Sequence, residues 1–346
     1  MPSPNSLPKN DTEAYRRWRA FIKPARAQTY SPTEILNLLG VTTETGHRLD
    51  SPTHASQTSY CFTEVPGSAV FAGNSKWLQM ALSNSNVHLV FTDQQSVDAL
   101  GITPDKPTIV STKAGEWFHR LHNLAIHKHC YDSRDPSPFV SPSAKVDSTA
   151  IIRGPVFLDH NVEVGPYSII SGPTYIGPNT RIEELATLGT RGLFAKQIEG
   201  QLEAFEYYGG LTVGPNSHIH ARANVAAAPH FQNCTTIGSD VSIGISSNVG
   251  HDCQIGNNCT IASTACICGR VVIGENSWIG AGSIVSEGCE ISNNARIRIG
   301  SVVIGDVPSY GDVSGNFAIP HTANLKAYVK NNGHSQLKSK VQTKGK

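Results

Sequence analysis

Histidine is the residue type in this chain with the clearest potential for chemistry, and His251 stands out among the fourteen. An imidazole ionises near neutral pH, so it can take up and return a proton during a reaction. His251 lies in a Gly-His-Asp segment inside a strictly periodic run of apolar residues. His218, His220 and His230 precede it and could line the same cleft, but a solvated corner is the simpler interpretation for each.

A six-residue repeat surrounds His251. From Ile237 to Val303 every sixth residue is Ile or Val, and the fourth residue after each of them is small. Neither the helical period of 3.6 nor the strand period of 2.0 produces this pattern. It predicts a solenoid, in which each short unit buries its apolar face against its neighbours. Three such units would form one triangular coil with a strand spacing of ~4.8 Å, which places Gly269 beneath His251.

The same repeat begins earlier in the chain, at Val140, and runs without a miss to Leu188. Residues 189–212 do not fit it, which predicts an inserted loop that is long enough to be functional. The spacing resumes at Val213 and includes Phe231 as its one aromatic member. The pattern therefore predicts a parallel β-helix over residues 140–312 with one interruption.

The chain before the repeat predicts a small α/β domain over residues 30–131. Ser31 and Pro32, with Glu34 three residues after the serine, form the signature of a helix start. Mixed apolar runs predict further elements. These are strands at 61–65, 69–73, 87–92 and 108–112, and helices at 75–82 and 114–127. Outside these domains the sequence predicts a loose extension at residues 1–29, with room for one short helix, and a linker at 132–139. It predicts a short helix followed by a disordered tail at 313–346.

Composition narrows the class of protein. The 28 Lys and Arg residues nearly balance the 27 Asp and Glu residues, so the chain lacks the field expected of a nucleic-acid partner. No apolar run reaches the length of a membrane span, and no secretory signal core is expected. Cys253, Cys259 and Cys289 occupy the small position of the repeat, where cysteine acts as a small apolar residue rather than a disulfide or zinc ligand. A cytoplasmic location is expected.

The repeat resembles the hexapeptide-repeat acyltransferases. The order of elements from about residue 31 to 330 is more specifically similar to the UDP-3-O-acylglucosamine N-acyltransferase family of lipid A biosynthesis. This resemblance implies a mainly β fold, a left-handed parallel β-helix with a small N-terminal α/β domain and a short C-terminal helix, assembled as a homotrimer. It also implies transfer of an acyl group from an acyl-carrier-protein or coenzyme A thioester to the amine of a UDP-linked amino sugar. Neither a permanently bound cofactor nor a metal is expected.

The resemblance also implies roles for individual residues. His251 matches the family's catalytic histidine, which would take the proton of an amine that attacks a thioester. The family's oxyanion donor is a glycine at the offset of Gly269. Phe71, Asn74 and Trp77 match a segment that holds uracil, and aromatic faces with an amide suit a planar base. The alternative is that Phe71 and Trp77 are ordinary core residues.

Three departures from that family leave the substrate open. Gly288 stands where the family has a second histidine, and residues 189–194 differ from the family's loop. The segment 313–320 is only loosely similar to the family's, and the helix that follows it is shorter. An acetyl-CoA-dependent sugar N- or O-acetyltransferase and a non-catalytic β-helix that binds a nucleotide sugar therefore remain alternatives. A carbonic-anhydrase-like zinc site would need three histidines on one zinc, the last two separated by four residues. The only pair with this separation, His122 and His127, lies outside the repeat.

Overall fold

The computed structural model describes residues 12–22, 28–41, 46–126 and 136–315, together with the single helical positions 322, 323, 326 and 330. Those four positions fall at the predicted C-terminal helix. The first half of the predicted linker and all of the predicted disordered tail lie outside the described residues. None of the described helices is long and apolar enough to cross a membrane.

The N-terminal domain is a five-stranded sheet packed against helices. The strand order is β1-β5-β4-β3-β2, with β1 antiparallel to β5 and the other pairs parallel. The strands are β1 Gly46–His47, β2 Gln57–Ser59, β3 Ser68–Ala72, β4 Val87–Thr92 and β5 Thr108–Val110. The helices are α2 Pro32–Leu39, α3 Ser75–Ser83, α4 Gln94–Leu100 and α5 Ala114–Asn123. The predicted start of α2 is confirmed, because the Glu34 amide donates to the Ser31 hydroxyl and the Glu34 carboxylate accepts from the Ser31 amide.

The strand predicted at residues 61–65 is wrong. The strand that pairs with β3 is β2, which ends at Ser59, and the chain then turns. The Asn84 side chain holds this turn, since its amide donates to the carbonyl oxygens of Cys61 at 3.0 Å and Thr63 at 2.8 Å. The apolar residues in this segment therefore lie in a turn, and two of them face the cavity described below.

The described part of the N-terminal extension contains the one short helix that the sequence allows, but this helix is anchored rather than loose. Residues Glu13–Ile22 form helix α1, and its Trp18 is only 1% exposed. The Trp18 ring meets Phe157 edge-on at 6.0 Å between ring centres. A buried indole of this size contributes about 3 kcal/mol or more relative to alanine, so α1 is anchored on the β-helix.

The β-helix has three parallel faces, visited in turn. The first face holds β6 Phe139–Val140, β9 Val156–Leu158, β12 Thr174–Ile176, β17 Gly210–Val213, β20 Cys234–Ile237, β23 Gln254–Ile255, β26 Val272–Ile273 and β29 Glu290–Ile291. The second holds β7 Lys145–Val146, β10 Glu163–Val164, β13 Arg181–Ile182, β18 His218–Ile219, β21 Ser242–Ile243, β24 Thr260–Ile261, β27 Trp278–Ile279, β30 Arg296–Ile297 and β32 Asp312–Val313. The third holds β8 Ile151–Arg153, β11 Ile169–Ser171, β14 Thr187–Thr190, β19 Asn224–Ala226, β22 Asn248–Val249, β25 Cys266–Ile267, β28 Ile284–Val285 and β31 Val302–Val303.

The repeat builds this prism through its inward residues and its corners. The periodic Ile and Val residues are buried in one continuous core. The chain turns most corners through a residue with positive φ, such as Asp252 at 56°. Glycine commonly follows the inward residue because neighbouring coils approach closely there: a Cβ on Gly250 would lie 2.6 Å from the Gly269 nitrogen. Each six-residue period therefore consists of a short strand with one inward-facing residue, followed by one corner of the prism.

Two excursions leave the prism, and the sequence pattern shows only the first. Asn179 meets Asn216, 37 residues on, because residues 191–209 leave the coil and include a hairpin, β15 Ala195–Ile198 with β16 Gln201–Ala204. Asn224 then meets Asn248, 24 residues on, instead of the usual 18. Residues 227–233 form this second excursion, so the prediction that Phe231 is a member of the ladder is wrong. The excursion lengthens the coil by one period, which leaves the phase of the pattern intact.

The cysteines of the repeat fill the core, as predicted. Cys253, Cys259 and Cys289 are at most 5% exposed, and the cysteines within the described residues are all free thiols. Burial raises the pKa of Cys253 to about 12 and that of Cys259 to about 11. Thiols with such high pKa values are unreactive near neutral pH.

Candidate active site

A cavity of about 500 Å³ lies where the N-terminal domain meets one corner of the β-helix. We call the turn between the third and first faces at residues 250–253 the His251 corner. The hairpin of the first excursion covers the cavity from one side, since Phe194 and Lys196 both line it. Its remaining walls come from β2, β3, α3 and α5. The cavity lining includes Tyr60, Phe62, Phe71, Asn74, Trp77, Phe118, Phe194, Lys196, His230, His251, Arg270 and Glu287.

His251 lies directly over Gly269, as the spacing of 18 predicts. A Cβ on Gly269 would lie 2.6 Å from Nε2 of His251, so a side chain at this position would displace the imidazole. The His251 side chain is 13% exposed. Among the described residues, the Gly269 amide donates no hydrogen bond, whereas the next amide, that of Arg270, donates to the His251 carbonyl at 2.7 Å. An unpaired backbone N–H thus lies close to the imidazole.

Asp252 fixes the orientation of the imidazole. Its Oδ2 lies 2.9 Å from His251 Nδ1, and the same oxygen accepts a hydrogen bond of 2.8 Å from the Tyr60 hydroxyl. The Asp252 amide donates to the Thr235 hydroxyl at 2.9 Å. We assign the proton to Nδ1 from this network, because an ionised carboxylate only accepts. Nε2 is then the basic nitrogen of His251.

The predicted uracil-binding residues share the cavity with His251. Phe71 lies at the end of β3, is 36% exposed and has its ring centre 6.3 Å from that of Phe118. Trp77 lies on α3, with its ring centre 6.1 Å from that of Phe62. Asn74 caps α3, since its Oδ1 accepts the Trp77 amide at 3.0 Å. The Asn74 side-chain NH₂ is therefore the group left to meet a ligand.

Several residues of the cavity were not predicted as site residues. Tyr60 has no sequence signal, because it reaches Asp252 across the interface of the two domains. Arg270 and Glu287 follow from the spacing of 18, since Glu287 stacks on Gly269, and they pair at 3.0 Å. Burial and the Asp252 charge raise the pKa of the Tyr60 hydroxyl well above its usual range, so Tyr60 stays protonated and donates to Asp252.

The other histidines divide into two groups. His230 is buried and lines the cavity, with its ring edge-on to Tyr60 at 4.5 Å, which corrects the prediction of a solvated corner. The second excursion carries it there. His218 and His220 do not reach the cavity and lie partly exposed at a different corner. His122 is buried in the N-terminal domain, and His127 lies outside the described residues.

Two of the departures from the resembled family, Gly288 and residues 189–194, lie near the site. Gly288 has a φ of 74°, and its amide donates to the Gly269 carbonyl at 3.0 Å. Residues 189–194 lead into the hairpin, and Phe194 lies with its ring centre 6.3 Å from that of His251. Where the resembled family has its second histidine, this chain therefore has a glycine whose backbone contacts Gly269. The loop at residues 189–194 contributes Phe194 to the wall of the cavity.

The fold and the cavity define a parallel β-helix with a candidate catalytic corner. Residues 234–269, which include His251 and Gly269, match the family model described as bacterial transferase hexapeptide (six repeats). This match confirms the resemblance predicted from the sequence and, with the three parallel faces, the fold class of a left-handed parallel β-helix. It also supports a transferase activity at the level of class.

The chain is also similar to solved structures. The UDP-N-acetylglucosamine acyltransferase of Arabidopsis is 27% identical over 58% of this chain and 80% of that chain, with a TM-score of 0.38. The UDP-N-acetylglucosamine O-acyltransferase of Moraxella catarrhalis is 25% identical over 60% and 80%, with a TM-score of 0.39. A putative acetyltransferase of Bacillus cereus is 23% identical over 46% and 74%, with a TM-score of 0.31. No curated protein matches this chain.

Proposed function

We propose that the protein transfers an acyl group from a thioester to the amine of a UDP-linked amino sugar. The observation that carries this proposal is the shared cavity. It joins Phe71, Asn74 and Trp77, which suit a planar base, to His251, which suits proton transfer. A non-catalytic sugar-binding protein would not need a buried imidazole that a carboxylate orients over an unpaired amide.

His251 acts as the general base in this mechanism. As the sugar amine attacks the thioester carbonyl, the C–N bond forms and Nε2 takes the amine proton. Asp252 accepts the Nδ1–H and stabilises the imidazolium ion. The Gly269 amide donates to the oxyanion of the tetrahedral intermediate. Collapse breaks the C–S bond, and the imidazolium returns its proton to the thiolate that leaves.

The wall of the cavity supports an anionic nucleotide substrate. The uracil ring would pack against Phe71 and Trp77, and the Asn74 NH₂ would donate to a uracil carbonyl oxygen. Lys196 lies with Nζ 5.5 Å from the centre of the Phe71 ring, and in the described part of the chain its ammonium forms no ion pair. This cation would attract the diphosphate.

A second groove supports a thioester donor. It has a volume of about 300 Å³ and shares Tyr60, Phe62 and Arg270 with the cavity. Because Asp252 also lines it, the groove reaches the His251 corner from the first face. The pantetheine arm that acyl-carrier protein and coenzyme A have in common would enter here. The choice between these two donors, the sugar and the acyl chain length stay open.

We also propose the homotrimer that the resemblance implies. Large apolar residues are exposed along the corner between the second and third faces. Tyr167 is 63% exposed, Leu185 44%, Ile245 48% and Ile299 70%. An exposed apolar row of this kind is covered in an oligomer. The cytoplasmic location predicted from the sequence stays a prediction.

The test compares His251→Ala with His160→Ala, in which a half-exposed histidine on another turn is removed. Both variants are assayed with UDP-amino sugars and with acetyl-CoA, long-chain acyl-CoA and acyl-carrier-protein donors. Loss of the base should lower kcat about 10²- to 10⁴-fold in H251A and leave H160A unchanged. Unchanged turnover in H251A would contradict the mechanism, and no turnover of the wild type with any donor would favour the binding protein.

A further inference from the structure

We infer that Glu183, His218 and His220 form a divalent metal site, suited to Zn²⁺, at a different corner of the β-helix from His251. The corner, which we call the Glu183 corner, joins the second and third faces on neighbouring coils. One nitrogen of each histidine and one carboxylate oxygen lie within 4.8 Å of one another. This inference does not depend on the proposed acyl transfer.

The distances between the ligand atoms suit a tetrahedral ion. His218 Nε2 lies 2.7 Å from Glu183 Oε1, and His220 Nδ1 lies 3.4 Å from Oε2. Ligands at 2.0–2.1 Å from a tetrahedral zinc are separated by about 3.3 Å. A small movement of the Glu183 side chain would therefore admit the ion. Two nitrogens and one oxygen form a ligand set that zinc accepts, with a fourth position for water.

The surrounding groups orient the ligands. His220 Nε2 lies 3.1 Å from the Ser242 hydroxyl, and donation to that oxygen would leave Nδ1 as the basic nitrogen towards Glu183. The Ala221 amide donates to Glu183 Oε2 at 3.1 Å. Such second hydrogen bonds on metal ligands fix their orientation and tautomer. The ligands also lie on or next to strands β13 and β18, which pair in parallel and fix their spacing.

The charges favour a cation over a simple ion pair. The rings of His218 and His220 lie with centres 3.8 Å apart, so two protonated imidazoles would repel each other. The Ala221 amide donates to Glu183 Oε2, and a hydrogen bond of this kind favours the ionised carboxylate that a metal ion needs. A single dication would serve all three side chains with both imidazoles neutral.

The position suggests a structural role for the ion. Glu183 and His218 are 35 residues apart, and the first excursion with its hairpin lies between them. A metal bound to both would close this loop at its base, next to the point where the repeat is interrupted. It would thus hold the two coils together on either side of the hairpin that covers the cavity. No metal is expected in this chain from the sequence, so zinc bound at the Glu183 corner would overturn that expectation.

The experiment uses the untagged full chain after chelator treatment and dialysis. Zn²⁺ binding is measured by equilibrium dialysis for the wild type, Glu183→Gln, His218→Ala and His220→Ala, with His160→Ala as the control. We expect one Zn²⁺ per chain in the wild type and in H160A. Each of the other three variants should bind at least about tenfold more weakly. Circular dichroism checks that each variant is folded.

A second measurement does not depend on the variants. Co²⁺ added to the wild type should give the intense visible absorption of a tetrahedral centre, and Zn²⁺ should abolish it. A wild type without this absorption would overturn the proposal. Equal zinc affinity in the wild type and H220A would also overturn it. So would a loss of affinity in H160A as large as that in the three ligand variants.

Discussion

Two corners of the same β-helix carry a histidine against a carboxylate, yet their surroundings differ. At the His251 corner the imidazole and Asp252 are 13% and 10% exposed. At the Glu183 corner, His218, His220 and Glu183 are between 22% and 35% exposed. The first pair lies under another domain and over an unpaired amide, whereas the second meets another imidazole. The repeat thus supplies equivalent rigid corners, and the groups that cover each corner decide its chemistry.

The largest effect that would sharpen this comparison is expected from Asp252→Asn. Asparagine keeps the shape but removes the charge that stabilises the imidazolium, so kcat should fall about 10²-fold with little change in KM. Asp240→Asn is the matched control, because Asp240 holds a φ of 58° at a corner, compared with 56° for Asp252. If D252N and D240N have the same kcat, Asp252 only shapes the turn and the two corners are alike.

A smaller effect is expected when the aromatic wall beside the His251 corner is altered, because the Glu183 corner has no such wall among the described residues. Trp77→Ala should raise the Kd for UDP about tenfold, since stacking of a base on an aromatic ring contributes about 1–3 kcal/mol. Calorimetric titration measures this, with Trp278→Ala as the control, because Trp278 lies half exposed on the second face. The Kd for UDP of Phe71→Ala tests the same aromatic wall independently. Equal Kd values in all three variants and the wild type would place the nucleotide elsewhere.

Tyr60→Phe should have a still smaller effect, and it tests whether the N-terminal domain tunes the corner. The variant loses the hydrogen bond to Asp252 and keeps the ring, so kcat should fall about fivefold, as expected for about 1 kcal/mol. Tyr60 acts through Asp252 as a positioning residue, and therefore KM should stay constant. The effect should also vanish when D252N is already present. Full additivity of the two changes would contradict this role.

A different kind of effect, on stability rather than on activity, concerns the interior that both corners share. The pKa of Cys253 is about 12 in the folded chain and about 9 when the thiol is exposed, so burial disfavours the thiolate. The raised folded pKa means that this stability is fully present below pH 9 and is lost as pH rises towards 12. The Cys253 thiol donates to the Cys268 carbonyl on the next coil, and a serine hydroxyl could make the same bond, as Ser247 does with the Ala262 carbonyl.

Cys253→Ser should therefore lose less stability than the wild type above pH 9. The difference should approach about 1.4 kcal/mol per pH unit between pH 9 and 11. Denaturant unfolding at pH 8, 10 and 11 measures it. Parallel pH profiles for the two proteins would show that this thiol does not titrate with unfolding.

The repeat could be predicted because residues three periods apart in the sequence lie side by side on neighbouring strands. Ile255 and Ile273 pair on neighbouring strands, 18 residues apart, as the sequence implies. The same regularity hid the second excursion, because an insertion of one full period leaves the phase unchanged. His230 is therefore buried at the cavity, although the pattern places it on a solvated corner.

The site was predictable only within the repeat. The stacking of His251 on Gly269 follows from the period, and the resemblance indicated Phe71, Asn74 and Trp77. Tyr60 could not be found in this way, because its contact with Asp252 spans 192 residues and two domains. Contacts of this kind depend on how the domains pack, which no local pattern encodes.

A crystal structure with a UDP-linked amino sugar would show whether one cavity both holds the nucleotide and performs the transfer. We expect uracil against Phe71 and Trp77, and the sugar nitrogen within about 3.2 Å of His251 Nε2. A nucleotide bound in this cavity with its amine beyond reach of His251, or bound outside the cavity, would contradict this expectation.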